Sequence, residues 1–114
     1  MANVLIIDDD VEMCRMLSDL VNTLKHDAEY TNTIKEGLQL AVSGRFDVVF
    51  LDVVLPDANG LEGVNSFLEA HSSPEIIIIT GTSEISGAEI ALTNGAWDYL
   101  EKPPSYDDLK LTLK

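Results

Sequence analysis

With 114 residues, 46% of them hydrophobic, the chain has room for one domain built on a single core. Seven Lys and Arg stand against 20 Asp and Glu, a net charge of −13 that repels phosphate backbones and anionic lipid. Direct nucleic acid binding and a membrane surface are therefore excluded as expectations. No apolar stretch is long enough to span a bilayer, and the start, MANVLIIDDD, has neither a basic leader nor a small-residue cleavage site, so a cytoplasmic protein is expected. The single Cys14 cannot form an internal disulfide, and His26 and His71 stand apart from any Cys or carboxylate at ligand spacing, so no zinc site is expected.

In chain order, strand and helix alternate five times. Val4 to Ile7 is a continuous apolar run with the length and branching of a buried strand, and Asp8, Asp9 and Asp10 follow it at once. Val11, Cys14, Leu17, Leu20 or Val21, and Leu24 then recur every three or four residues, one stripe of a helix that Asp10 would cap. Glu29 to Thr31 reads as a short second strand. Thr33-Ile34-Lys35-Glu36 has capping-box spacing for a second helix, with Ile34, Leu38 and Ala41 inward and Gly44 as its stop. Val48 to Leu51 is a third strand, ended by Asp52, and Pro56 and Asn59-Gly60 turn the chain toward a third helix carrying Leu61, Val64, Phe67 and Leu68.

Ile76 to Ile79 is the most apolar run and reads as a central strand covered on both faces, ending at Thr80-Gly81. The segment from Ser83 to Thr93 is a helix with an imperfect stripe, closed by Asn94-Gly95. Trp97 to Leu100 gives a fifth strand before Lys102-Pro103-Pro104, and Ser105 opens a last helix with Leu109, Leu111 and Leu113. The chain stops inside that helix, so the expectation is a module, residues 1–114, of a longer protein. Alternating strands and helices with short connections imply an α/β fold: a five-stranded parallel sheet with helices on both faces, of flavodoxin-like type.

The chemistry stands at the strand ends. Asp8-Asp9, Asp52, Thr80 and Lys102 close strands one, three, four and five, and a parallel sheet brings all of these ends to one edge. Carboxylates gathered there would repel by ~1 kcal/mol per pair at 4 Å in water and ~4 kcal/mol at an effective dielectric of 20. Lys102 supplies one compensating charge. A hard cation suits the carboxylate oxygens, and Mg²⁺ prefers one or two carboxylates together with water and phosphate oxygens. A hydroxyl and an ammonium beside such an ion make a site for a phosphoryl group, with Asp52 as the nucleophile.

These residues resemble the receiver domain of bacterial two-component response regulators. IIDDD, FLDVVLPDANGLEG, IIIITG and DYLEKP occur in that family's order and spacing, and the match spans the whole chain. The resemblance implies Asp52 as phosphoacceptor, Asp8 and Asp9 as the acidic pocket, and the Val54 carbonyl as a further Mg²⁺ ligand. It also implies Thr80 as the switch hydroxyl, Tyr99 as the switch aromatic and Lys102 as the phosphate-binding lysine, aimed by a cis bond to Pro103. A sensor histidine kinase or phosphotransfer protein is the implied donor. The implied output runs through the face of the fourth helix, fifth strand and fifth helix, by homodimer formation or contact with an effector domain. LPDANGLE and GAWDYLEKP are most similar to receivers of enhancer-binding transcription activators. Pro104 departs from the large apolar residue usual there, and the apolar Val54 implies a long-lived phosphoryl group.

Plainer roles suit other residues: Asp10 a helix cap, Asp57 turn chemistry, Glu12 a favourable charge in a first helical turn, Trp97, Cys14 and the methionines packing, and both histidines surface or loop positions. Two other functions share the residue set. A pseudo-receiver would keep the fold as an unphosphorylated interaction module, against which the complete acidic set argues. A phosphohydrolase of the haloacid-dehalogenase type would need a second Asp two residues after Asp52, where Val54 stands, so no enzyme activity beyond slow self-dephosphorylation is expected.

Overall fold

The computed structural model describes residues 2–41, 46–52, 74–80, 98–101 and 106–113. Its elements are β1 (Asn3–Ile7), α1 (Val11–Thr23), β2 (Asp27–Thr31), α2 (Ile34–Ala41), β3 (Val48–Asp52), β4 (Glu75–Thr80), β5 (Asp98–Glu101) and α3 (Tyr106–Thr112). The helices expected over Leu61–Leu68 and Ser83–Thr93, the turn at Asn59-Gly60 and the stop at Gly44 lie outside the described residues. All five expected strands form, and β2 starts at Asp27, two residues before the expected start.

The strands make one parallel sheet in the order β2-β1-β3-β4-β5. From β1 the chain steps outward to β2 and then back across to β3. Because such crossovers are right-handed, this reversal puts α1 and α2 on opposite faces and creates a switch point between β1 and β3.

Burial on both faces explains the unbroken apolar runs. Val4, Ile6, Val48, Phe50, Ile77 and Ile79 line one face and form a core with Cys14, Leu17 and Val21 of α1, Leu109 of α3 and Leu113 just beyond it. Leu5, Ile7, Val49, Leu51, Ile76 and Ile78 alternate with them on the other face, each no more than 1% exposed. Such an aliphatic side chain contributes roughly 1.5–3 kcal/mol by leaving water, so the central strands dominate the stabilisation.

Local signals set the helix ends. Asp10 is extended and its Oδ1 accepts from the N–H groups of Glu12 and Met13 at 3.0 and 3.2 Å, the cap expected for α1. The Thr33 hydroxyl accepts from the Glu36 N–H at 3.2 Å and lies 3.1 Å from the Glu36 carboxylate, to which it donates, a variant of the expected capping box. Two residues of the expected apolar stripes face solvent instead: Val11 is 41% exposed and Leu111 67% exposed. Val11 sits at the first position of α1, beyond the reach of the sheet. Leu111 lies midway between Leu109 and Leu113, whose four-residue spacing defines the buried face of α3.

The end of α1 was not expected from the sequence. Lys25 follows the helix with φ 72°, its N–H donating to the Asn22 carbonyl at 3.0 Å, while the His26 N–H donates to the Val21 carbonyl at 3.2 Å. This pair of bonds is a Schellman motif with lysine at the position usually taken by glycine. His26, expected only as a surface or loop residue, is half-buried in this turn, and its Nδ1 accepts from the Ala2 N–H at 2.8 Å.

Candidate functional site

Strand register assembles the acidic residues. Ile7 pairs with Leu51, so Asp8, the next residue of one chain segment, emerges level with Asp52, the last residue of β3. Neighbouring strands are about 4.8 Å apart, and alternation along each strand gives Asp8 and Asp52 the same facing as Ile6 and Phe50. The two carboxylates therefore meet at the switch point. Asp8 is 1% and Asp52 4% exposed, whereas Asp9 is exposed. One ligand oxygen from each of Asp8, Asp9 and Asp52 lies within 4.8 Å of the others.

The backbone that carries the first two carboxylates is held from several directions. The Asp8 N–H donates to the Thr31 carbonyl at 3.2 Å, prolonging the β1–β2 ladder by one bond. The Asp8 Oδ1 accepts from the Asp10 N–H at 3.0 Å. The Asp8 carbonyl accepts from the Asn32 amide at 2.8 Å and from the buried Cys14 thiol at 3.4 Å. Asp10 then starts α1, its carbonyl accepting from the Cys14 N–H at 3.0 Å. A tight turn of three acidic residues thus has its geometry fixed by hydrogen bonds.

Three converging carboxylate oxygens form a hard, oxygen-only donor set suited to Mg²⁺ and poorly suited to soft or imidazole-preferring metals. Burial of Asp8 and Asp52 next to each other concentrates negative charge in surroundings of reduced dielectric, which favours a divalent cation there.

Of the remaining expected site residues, Thr80 ends β4 and pairs with Glu101, one step beyond the pairing of Asp52 with Ile79. Its backbone thus reaches the same edge as the acidic trio, and its side chain lies outside the described residues. Tyr99 pairs with Ile78 in the central part of β5, and its side chain also lies outside them. Val54, Lys102, Pro103 and Pro104 lie outside the described residues. Asn32 was missed from the sequence, because a single polar residue between a strand and a helix reads as ordinary turn chemistry. A groove of about 360 Å³ lined by Asn3, Asn22, Asp27, Glu29 and Phe46 lies at the opposite edge, where strands begin, away from the carboxylate trio.

The family model described as the response regulator receiver domain matches residues 4–114. The transcriptional regulatory protein ZraR of Klebsiella oxytoca is 31% identical over 111 residues, covering 97% of this chain and 25% of that protein. The response regulator ArlR of Staphylococcus epidermidis is 34% identical over 114 residues, covering 100% of this chain and 52% of that protein. The chain thus spans a quarter to about half the length of these curated relatives. A crystal structure of a response regulator receiver domain protein from Clostridium thermocellum superposes with a TM-score of 0.91 at 25% identity, covering 99% of this chain and 91% of that one.

Proposed function

The chain belongs to the response regulator receiver domain family, and from that membership we propose that it is a switch thrown by phosphorylation of Asp52. The observation that carries the reading is the convergence of Asp8, Asp9 and Asp52 at the β1/β3 switch point, with ligand oxygens within 4.8 Å.

In the proposed step, an Asp52 carboxylate oxygen forms a bond to phosphorus as the bond from phosphorus to the donor breaks. The electron pair leaves with the donor, the imidazole of a phosphohistidine or the acetate of acetyl phosphate. Asp8, Asp9, Asp52 and the Val54 carbonyl would hold Mg²⁺, which when bound supplies positive charge to the carboxylates and the phosphoryl oxygens. Lys102 and Thr80 donate hydrogen bonds to those oxygens. The burial of Asp8 and Asp52 lowers the local dielectric and so strengthens these electrostatic interactions.

Phosphorylation adds charge and acceptor oxygens beside Thr80 and Lys102. Thr80 is drawn toward them, and Tyr99 fills the space it leaves, which changes the face made by β5, α3 and the segment from Ser83 to Thr93 expected as a helix. A sensor histidine kinase or phosphotransfer protein supplies the phosphoryl group. The output is transcriptional, through a homodimer or an effector domain, as the regulatory names and greater lengths of ZraR and ArlR support. Turnover is limited to self-dephosphorylation, and the apolar Val54, which cannot orient an attacking water, makes the phosphorylated form outlast that of Val54→Asn.

The test is intact-mass analysis after incubation with acetyl phosphate, with and without Mg²⁺, on the chain and on Asp52→Asn. One Mg²⁺-dependent phosphoryl addition, absent from Asp52→Asn, is expected. No addition under any condition would leave a pseudo-receiver that acts through protein contacts alone.

A further inference from the structure

We propose that Asn32 is a positioning residue for the metal-binding carboxylates, acting through the Asp8 main chain; the proposal rests on the Mg²⁺ reading above. Asn32 lies between β2 and α2, outside the trio of converging carboxylates. Its amide donates to the Asp8 carbonyl at 2.8 Å and lies 3.8 Å from the Cys14 sulfur, which in turn donates to the same carbonyl at 3.4 Å.

Ladder geometry gives this contact its meaning. The Asp8 N–H donates to the Thr31 carbonyl, so in a continuing parallel ladder the Thr33 N–H would donate to the Asp8 carbonyl. The chain instead leaves the sheet there, because Thr33 caps α2: its carbonyl accepts from the Gly37 N–H at 3.1 Å and its hydroxyl from the Glu36 N–H. The Asn32 side chain supplies the bond that the ladder would have made. β2 can therefore turn into a helix without releasing β1 at the residue where the site begins.

The Asp8 carbonyl and the Asp9 N–H belong to one planar peptide unit. Fixing the carbonyl fixes that plane and with it the position of the Asp9 Cα, from which its side chain departs. Asp8 has further restraints, its carboxylate accepting from the Asp10 N–H, whereas Asp9 is exposed and depends on its backbone for aim. Outer partners that orient ligands typically change metal affinity 10–100-fold when removed.

The experiment is calorimetric titration with Mg²⁺ alone, together with thermal unfolding without metal, on the chain, Asn32→Ala and Thr33→Ala. Asn32→Ala is expected to weaken Mg²⁺ binding roughly tenfold or more. Thr33→Ala disturbs the same connection by uncapping α2 and is expected to lower the unfolding temperature while leaving Mg²⁺ affinity within about twofold. Should Asn32→Ala not fold, Asn32→Ser carries the same expectation, because serine keeps a turn-forming hydroxyl but is too short for the Asp8 carbonyl. Equal Mg²⁺ affinity in the unaltered chain and the Asn32 variant overturns the proposal, as does an equal loss in Thr33→Ala. Absence of Mg²⁺ binding by the unaltered chain overturns the underlying reading as well, and is told apart by that measurement.

Discussion

Asp8 and Asp52 leave neighbouring parallel strands at the same level, 1% and 4% exposed, with ligand oxygens within 4.8 Å of each other. Two carboxylates at such a distance repel by about 3–4 kcal/mol at an effective dielectric near 20, so the site is assembled against its own electrostatics. The hydrogen bonds to Asp8 and the burial of the central strands hold it together.

Removing one charge should therefore stabilise the metal-free fold. Asp52→Asn is expected to raise the unfolding free energy by about 1–2 kcal/mol in urea without Mg²⁺, the usual exchange of function for stability at such sites. Added Mg²⁺ should reverse the ranking. At a hundred times its Kd, Mg²⁺ stabilises the unaltered chain by about 2.7 kcal/mol, whereas the variant, lacking one anionic ligand and binding about a hundredfold more weakly, gains only about 0.4 kcal/mol. A variant that is less stable without Mg²⁺ would show that repulsion does not govern this pair.

Asp10, third of the acidic run, has a separate task. Its carboxylate caps α1, and it is not among the three converging ligands. Asp10→Ala should lower stability by about 1 kcal/mol, Asp10→Ser should restore most of that loss, and neither should shift the Mg²⁺ Kd beyond about twofold. A tenfold change in Mg²⁺ affinity for either variant would assign Asp10 to the site.

β1, β3 and β4 were legible because each is an apolar run bounded by a polar end, a pattern that burial on two sheet faces requires, whereas the edge strands β2 and β5 are mixed in polarity and gave a weaker signal. The acidic trio was legible for a related reason: a residue that ends a parallel strand has its place set by strand order, and Asp8 and Asp52 end adjacent strands. Asn32 was not legible, since its partner is a carbonyl 24 positions away, and backbone atoms leave no mark in a sequence. Leu111 and Lys25 misled or gave no signal because their environments are set by helix rotation and by a left-handed turn, neither of which residue type alone determines.

Leu109 and Leu111 make that rotation testable. Leu109 is fully buried in the core with Leu17 and Val21 of α1, whereas Leu111 is 67% exposed. Leu109→Ala is expected to cost about 2–5 kcal/mol, through lost burial and the cavity left behind. Leu111→Ala should stay within about 0.5 kcal/mol of the unaltered chain. Equal losses in urea unfolding would place Leu111 against a partner rather than in water.

Lys25 offers the opposite sign of effect. Its φ of 72° places a residue bearing a Cβ in the left-handed region, which costs roughly 1–2 kcal/mol for an L-residue other than glycine. Glycine removes that cost but gives the unfolded chain more freedom, a penalty of about 0.4–1 kcal/mol. The balance predicts that Lys25→Gly stabilises by about 0.5–1 kcal/mol, and that Lys25→Val destabilises because branching at Cβ worsens the clash. The turn is tied to α1 by backbone bonds from Lys25 and His26 and to Ala2 by the His26 imidazole, at the sheet edge opposite the carboxylate trio, so Mg²⁺ affinity and phosphoryl acceptance should not change. Urea unfolding of the two variants checks the order. If Lys25→Gly were the less stable protein, the lysine side chain would have to contribute more than the left-handed turn costs, and the helix end would be held by contacts of that side chain as well as by its two backbone bonds.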